Sequence, residues 1–513
     1  VTSEVTDPAL LVGRELTPLG PMPGTTATFM EAALAAGSAS TAVVAQMGLE
    51  PIMCALEHAD VVLCGRAYDP AVFAAEPVRQ GFPAAMALHA AKVLECGAIA
   101  CVPGSGSDCL VAELTGDGAA TFWAPNEARR ATPLSVAAHT LYEKSHPHCF
   151  GLPSGVLNTT RTTFTAKGRA VEVKGTALHR VAPAVKLEGA AVRGHRAVGL
   201  SLLPPGAAPP RGGTLRFVYG VDGVEPQELD GAACEQELGL VVSVSGGEAH
   251  RNKAHLALLR ATLLHWGFEG RKATAGNLAF PFSPSDLLAP GDEVLTVCGT
   301  RDPGFIANYE KILRDVEAYV ATLSKADGLR VRFVPCGLPG LPLLGVEEAV
   351  AASPEEAQST LAAVGGPPGA GERWVCSGGV AADYTLHHLV EVDEEMTRQL
   401  FKIRLLDSSG AEVEGKAVEA RLLPWGDGPV VSQSEANADW AASRKPGGGA
   451  RVGKPLGELA QVIRSKNAGV NELTYDLIFD NQAAYEMVKG SPVLEEEHVQ
   501  SLLGRHVLAV YCD

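Results

Sequence analysis

The stretch from Gly48 to Cys109 constrains the fold most, because it sets two very apolar, strand-length runs against two polar turns. The first run, Ala59-Asp60-Val61-Val62-Leu63-Cys64, ends at Gly65-Arg66-Ala67-Tyr68-Asp69-Pro70. The second, Ala98-Ile99-Ala100-Cys101-Val102, ends at Pro103-Gly104-Ser105-Gly106-Ser107-Asp108-Cys109. Such runs suit strands buried on both faces, and the segments around them have helical texture. Residues 50–58 read as a helix with Pro51 in its first turn, residues 70–79 as a second, and residues 82–96 as a third. The alternation predicts an α/β fold, a mainly parallel sheet flanked by helices. Ligand sites collect at strand ends in such sheets, so the two turns are the expected pocket.

Beyond Pro147 the texture changes to short alternating strands at 156–166, 169–175 and 192–203, with a hairpin turn at Lys167-Gly168. Helices are expected at 253–266 and 303–323, and strands at 294–298 and 331–335. We read these as an α+β continuation of one large domain, residues 1–440. The charged, glycine-rich stretch around Ser443 to Arg451 predicts a linker over 441–453. After it, a helix at 456–464, a strand at 472–479, helices at 482–488 and 495–503, and a strand at 507–511 predict a small C-terminal α+β module, 454–513. A chain of 513 residues exceeds what one core usually sustains.

Forty-two basic against 59 acidic residues give a net charge of -17, which argues against nucleic acid and anionic membranes as partners. The 11 cysteines are scattered, with no CxxC and no zinc-ligand spacing, which fits reduced thiols in the cytoplasm. No run of 18 apolar residues and no charged-then-apolar leader is present, so neither a membrane span nor a signal peptide is expected. The sequence begins with Val1 and almost at once has folded texture, so a processed start or an absent upstream piece is expected.

Three segments could carry chemistry. Arg66 is either a fork for a carboxylate or phosphate, or a structural ion pair with Asp69 or Asp60. Tyr68 shares its turn. Asp69, before Pro70, is a helix cap or a general base. Ser105, Gly106, Ser107 and Asp108 offer hydroxyls, free backbone N–H groups and a carboxylate, suited to an anionic ligand with a proton acceptor beside it. The turn is neither a GxxxxGK[ST] loop nor a GxGxxG fingerprint. On an expected helix from 135 to 144, His139 and Glu143 stand one turn apart with Tyr142 adjacent, an arrangement for acid–base work, for a divalent metal, or for a solvated pair. Cys96 and Cys109 are inert thiols or acyl-transfer nucleophiles. Lys466 and Asn467 contact a ligand or serve a turn.

The two turns, Gly48-Leu49-Glu50-Pro51, Leu94-Glu95-Cys96-Gly97-Ala98 and the segment Ala138 to Lys144 resemble the acyclic terpene utilisation (AtuA-like) family. The tail, with Ile463-Arg464-Ser465-Lys466-Asn467-Ala468-Gly469 and Leu473-Thr474-Tyr475-Asp476, resembles the small uncharacterised domain often fused to it. The resemblance implies degradation of branched acyclic acids or thioesters, with addition or elimination across a carbon–carbon double bond. It also implies an N-terminal portion ahead of Val1, lost or supplied by a separate chain. The expectation is therefore a lyase of hydratase or dehydratase type, a homo-oligomer acting on a small branched or multiply carboxylated acid or its CoA thioester. Arg66, Ser105 and Ser107 would hold the carboxylate, with Asp108, His139 or Glu143 moving protons. No cofactor is called for beyond a possible divalent metal at Asp69, Asp108, His139 or Glu143. Alternatives are a regulatory subunit that completes a partner enzyme and a Cys-dependent acyl transferase.

Overall fold

Helices arise where proline enters a first turn or a side chain caps the free N–H groups. A computed structural model describes residues 1–11, 14, 16–18, 41–104, 108–144, 146–153, 155–205, 207, 237–268, 271, 276–282, 284–323, 327–338, 340–413, 417–423, 430–431, 456–469, 472–503 and 510. Its contacts divide the chain into two units, Val1–Ala190 with Tyr384–Asp513, and Ala191–Asp383.

In the first unit α1 (Glu50–Leu56) starts at Pro51, and α2 (Ala71–Arg79) and α3 (Ala84–Leu94) follow as the sequence predicts. Next, α4 (Pro133–Thr140) is closed by a capping box in which Thr132 and Ser135 each accept the other's backbone N–H at 3.0 Å. Strands β1 (Leu16–Pro18) and β2 (Thr41–Gln46) precede β3 (Val111–Leu114), β4 (Ala119–Trp123), β5 (Cys149–Leu152), β6 (Gly155–Asn158), β7 (Thr163–Lys167), β8 (Ala170–Lys174) and β9 (Ala177–Arg180). Strands β3 to β9 build a four-stranded sheet, β3-β4-β8-β7, and a three-stranded one, β5-β6-β9. The expected hairpin is present: β7 pairs with β8 across Gly168, whose φ of 65° suits glycine.

Helix α3 organises this unit. Met86, Ala90 and Val93 face a core with Phe122, Val171 and Val173. Ala87, Leu88 and Ala91 face another with Met47, Phe150 and Leu157. A helix clasped on both sides must be apolar nearly all round, which its sequence is. Each fully buried large side chain contributes roughly 1.5–3 kcal/mol. The helix nevertheless also buries His89 and Lys92.

The second unit is entered within β10 (Ala184–Leu203) and left within β16 (Arg373–Glu391). Between them come β11 (Leu238–Ser245), β12 (Leu287–Leu288), β13 (Val294–Thr300), β14 (Arg330–Cys336) and β15 (Leu343–Ala351), in the sheet order β14-β11-β13-β12-β16-β10-β15. Leu240, Val242 and Val244 of β11 pack on α5 (Ala249–His265) and α6 (Pro303–Leu323), while Val241 joins a separate core with Leu200, Val297 and Trp374. Both faces of β11 are buried, hence its unbroken apolar run. On β15, α7 (Pro354–Val364) is capped by Ser353, which accepts from Glu356 N.

Back in the first unit, α8 (Glu394–Leu400) is capped by Asp393, and β17 (Lys402–Ile403) pairs with β18 (Val418–Glu419). The C-terminal module holds the hairpin β19 (Val462–Gly469) and β20 (Glu472–Ile478), then α9 (Gln482–Lys489) and α10 (Glu496–Leu503). The helix expected at 456–464 is only Leu456–Leu459, because Val462 and Ile463 pair with Ile478 and Leu477. The expected linker 441–453 lies outside the described residues, as does the strand at 507–511 apart from Val510.

The mixture of helix and sheet is as expected, but the parallel sheet is not what forms. Every strand pair with a described register is antiparallel, and the isolated bridges Met47↔Ala67 and Arg180↔Val430 are parallel. The two runs read as buried strands take other forms. Residues 59–64 form no ladder strand, and Val61 and Leu63 stand 78% and 79% exposed. The 98–102 run opens as a 3-10 helix, Gly97–Ala100, before Val102 bridges to Arg130. Apolar composition supplied the strand reading, but it cannot say which neighbours arrive to cover each face.

Candidate active site

A cleft of about 630 Å³ opens in the first unit, within the usual range for small-molecule sites. Arg66, Asp69, Glu95, Cys96, Tyr142 and Glu143 line it, with Val72 and Phe73 of α2 on an apolar side. The turn after residue 64 holds its shape through close approach. Gly65 lies against Ser3, where a Cβ would come within 2.5 Å of Ser3 Oγ, and Arg66 N donates to that same oxygen.

Arg66 is fixed by carboxylates. Its Nε and Nη2 donate to Glu188 at 2.6 and 3.1 Å, and Nη1 reaches the exposed Asp69 at 3.3 Å. Burial alone would raise the Glu188 carboxyl, but hydrogen bonds from Arg66 and Lys186 prevail and bring it down to about 2. The Arg66 fork is thus anchored on one side by the half-buried Glu188 carboxylate and also held by a longer contact to Asp69. Asp69, read as a cap or base, does not cap α2: the helix opens at Pro70 without a side-chain cap, and the carboxylate turns to Arg66.

Behind the cleft wall lies a buried charge cluster. Lys92 of α3 donates to Glu95, with side chains only 5% and 10% exposed. Burial pushes the Glu95 carboxyl up, against the pull of Lys92. Lys144 Nζ sits over the Phe150 ring at 4.4 Å and 6.0 Å from the Tyr68 ring centre. Burial, then repulsion from Lys92, lowers its amine to about 7, while Glu95 and Glu143 oppose the shift. Burial also raises the Tyr68 phenol, whose Oη has no hydrogen-bond partner among the described residues.

His139 and Glu143 do not stand on one helix. Helix α4 ends at Thr140, and Glu143 takes a left-handed φ of 59°, so the two side chains do not share a helix face. His139 is buried and stacks on Tyr142 at 5.0 Å, while Glu143 is exposed at the cleft. Asp108 does not line the cleft. Arg129 Nε and Asn126 Nδ2 donate to it at 2.7 and 2.6 Å, and the Arg129 bond holds its carboxyl below the usual range. Ser105, Gly106 and Ser107 lie outside the described residues. Asp69, Asp108, His139 and Glu143 are not brought together as metal ligands, and no group of three or more His, Cys, Asp or Glu fit for a metal ion exists among the described residues.

The structure therefore gathers Arg66, Asp69, Tyr142 and Glu143 of the expected set, with Tyr68 beneath them. Sequence reasoning passed over Lys92, Glu95, Lys144 and Glu188 as site residues. One signal was available: Lys92 and Glu95 sit three apart, at the end of a helix that is otherwise almost wholly apolar.

An α+β unit with a polar, ion-lined cleft is the class these features define; among the described residues no helix is long and apolar enough to cross a membrane. Residues 24–204 match the family described as acyclic terpene utilisation family protein AtuA, and residues 456–511 match a domain of unknown function, DUF4387. Both matches agree with the sequence resemblance. No curated protein and no solved structure matches it.

Proposed function

We propose that the cleft is the active site of a lyase of hydratase or dehydratase type, acting on a branched acyclic acid or its CoA thioester. What carries this reading is Glu95, a carboxyl whose proton affinity is raised by burial and which lines the same cleft as Arg66. Arg66, steadied by Glu188, holds the substrate carboxylate or the developing enolate oxygen. The Lys92–Glu95 pair supplies the proton for the departing hydroxyl through Glu95, and the exposed Glu143 takes the proton from carbon. In the hydration direction the roles reverse. The family description supports a role in acyclic terpene breakdown. The cysteines of the described residues are free thiols, which supports a reducing compartment such as the cytoplasm.

The test is hydration of a panel of branched enoyl thioesters, followed by loss of the conjugated absorbance. Wild type should turn over at least one, and Glu95→Gln should lose about a hundredfold or more in kcat, within the usual range for a general acid. Undiminished turnover by Glu95→Gln would overturn the assignment. Of the two cleft thiols, Cys64 and Cys96, burial pushes the Cys64 thiol up, which gives no support to acyl transfer through it.

A further inference from the structure

Helix α2 carries apolar residues on two sides, and the core accounts for one of them. Ala71, Ala74, Ala75 and Val78 are buried against the core that holds Met47, Ile52 and Leu88. At about 100° per residue, positions 72, 73, 76 and 80 fall on the opposite, outward arc. In the second turn that arc is polar, as on an ordinary surface helix: Glu76 accepts from Arg79 at 2.6 Å and from Gln80 at 2.7 Å. In the first turn it consists of Val72 and Phe73, which are 51% and 43% exposed. Exposed apolar residues scattered singly need no explanation. These two are neighbours, and both line the cleft that holds Arg66, where Cys64 and Ala67 continue the apolar lining. The cleft thus sets an apolar wall beside ionic groups, and a volume of about 630 Å³ accommodates far more than an acid of a few carbons.

We infer that Val72 and Phe73 are the specificity-determining residues of this cleft: they form the wall on which an aliphatic arm of the ligand packs while Arg66 holds its carboxylate. The inference rests on the cleft being the substrate site, and adds which end of the substrate is selected and by which side chains. It is independent of which group moves the proton. Seating an arm on the wall removes the apolar surface of both from water, so the gain grows with each methylene. A fully buried methylene is worth about fourfold in affinity, and an arm covered on one side about twofold. Selection by such a wall is graded by the apolar area covered, because dispersion and the hydrophobic effect carry no directional demand.

The test is direct binding without turnover. Saturated straight-chain carboxylates from butanoate to decanoate, which have no double bond or leaving group to react, are titrated into the full chain at pH 7 by isothermal calorimetry. Affinity should rise about twofold per added methylene and level off once the arm passes the end of the wall. Phe73→Ser should cut that slope to about half or less while leaving butanoate binding unchanged, and Phe73→Leu, which keeps an apolar surface, should retain most of the slope. Equal affinity along the series, or a Phe73→Ser variant with the wild-type slope, would overturn the inference and leave the Glu95 assignment standing. A Phe73→Ser variant that alters the oligomeric mass in sedimentation but keeps the slope would assign the wall to a second copy of the chain and equally overturn it. Undiminished turnover by Glu95→Gln, with the slope and its dependence on Phe73 intact, would strike the proton-transfer reading alone.

Discussion

Replacing Lys92 with Met tests the charge cluster directly. The substitution keeps an unbranched side chain of similar length in a position only 5% exposed, so packing is nearly conserved and the change is electrostatic. Removing one partner of a buried pair costs about 3–5 kcal/mol, because the other charge stays desolvated. Two responses soften the loss: Glu95 can take up a proton, and Lys144, freed from Lys92, can regain its own and offer a counterion. The lower end, about 3 kcal/mol, is therefore expected. With a urea m-value near 3 kcal/mol per molar, the midpoint of the first unit's unfolding should fall by about 1 M. Adding Glu95→Leu should recover most of the loss, since an apolar pair can replace a buried ion pair at little net cost. Urea titrations followed by circular dichroism measure all three proteins. A single variant within about 0.5 kcal/mol of wild type, or a double variant no more stable than the single, would refute the cluster as an energetic unit.

Other consequences follow from the same groups. Because Lys144 is lowered to about 7, the unfolded chain binds more protons between there and the ordinary lysine range, so stability should rise with pH across that window. Lys144→Met should flatten that rise, as read from urea midpoints at several pH values. Glu188, lowered to about 2, contributes stability that is present above the ordinary glutamate range and lost as pH falls towards 2. Glu188→Gln should be less stable than wild type at pH 7, the gap should close in acid, and the loosened Arg66 should bind a carboxylate probe about tenfold more weakly by calorimetry. His89 accepts from Thr176 at Nδ1 and donates from Nε2 to Thr140, whose own hydroxyl donates to Val136 O. Burial lowers it to about 4, so nitrogen NMR should show a neutral Nε2–H ring at pH 7, and stability should drop as pH falls from the ordinary histidine value towards 4. An imidazolium at neutral pH would contradict this.

Local periodicity and caps were enough to place α1, α2 and α3, the β7–β8 hairpin across Gly168, and the full length of α6, because these depend on nearest neighbours along the chain. Arg66 was legible for the same reason: a guanidinium in a glycine-proline turn is marked by its immediate context. Its partner Glu188 was not, being 122 residues away and brought in by folding. The run from Ala59 to Cys64 shows the limit from the other side. Its apolar composition is plain, but whether Val61 and Leu63 are buried depends on what packs over them, and here they face solvent. Strand direction failed likewise, since parallel and antiparallel pairing use the same residue types and differ only in which distant segment arrives. His139 and Glu143 do not share a helix face because of one backbone decision, the end of α4 at Thr140. The sequence alone thus determined the local elements, the acidic surface and the Arg66 turn. Only the tertiary structure could set Lys92, Glu95 and Lys144 in one desolvated place, and proton affinity follows from that burial and proximity, which no single residue carries in its name.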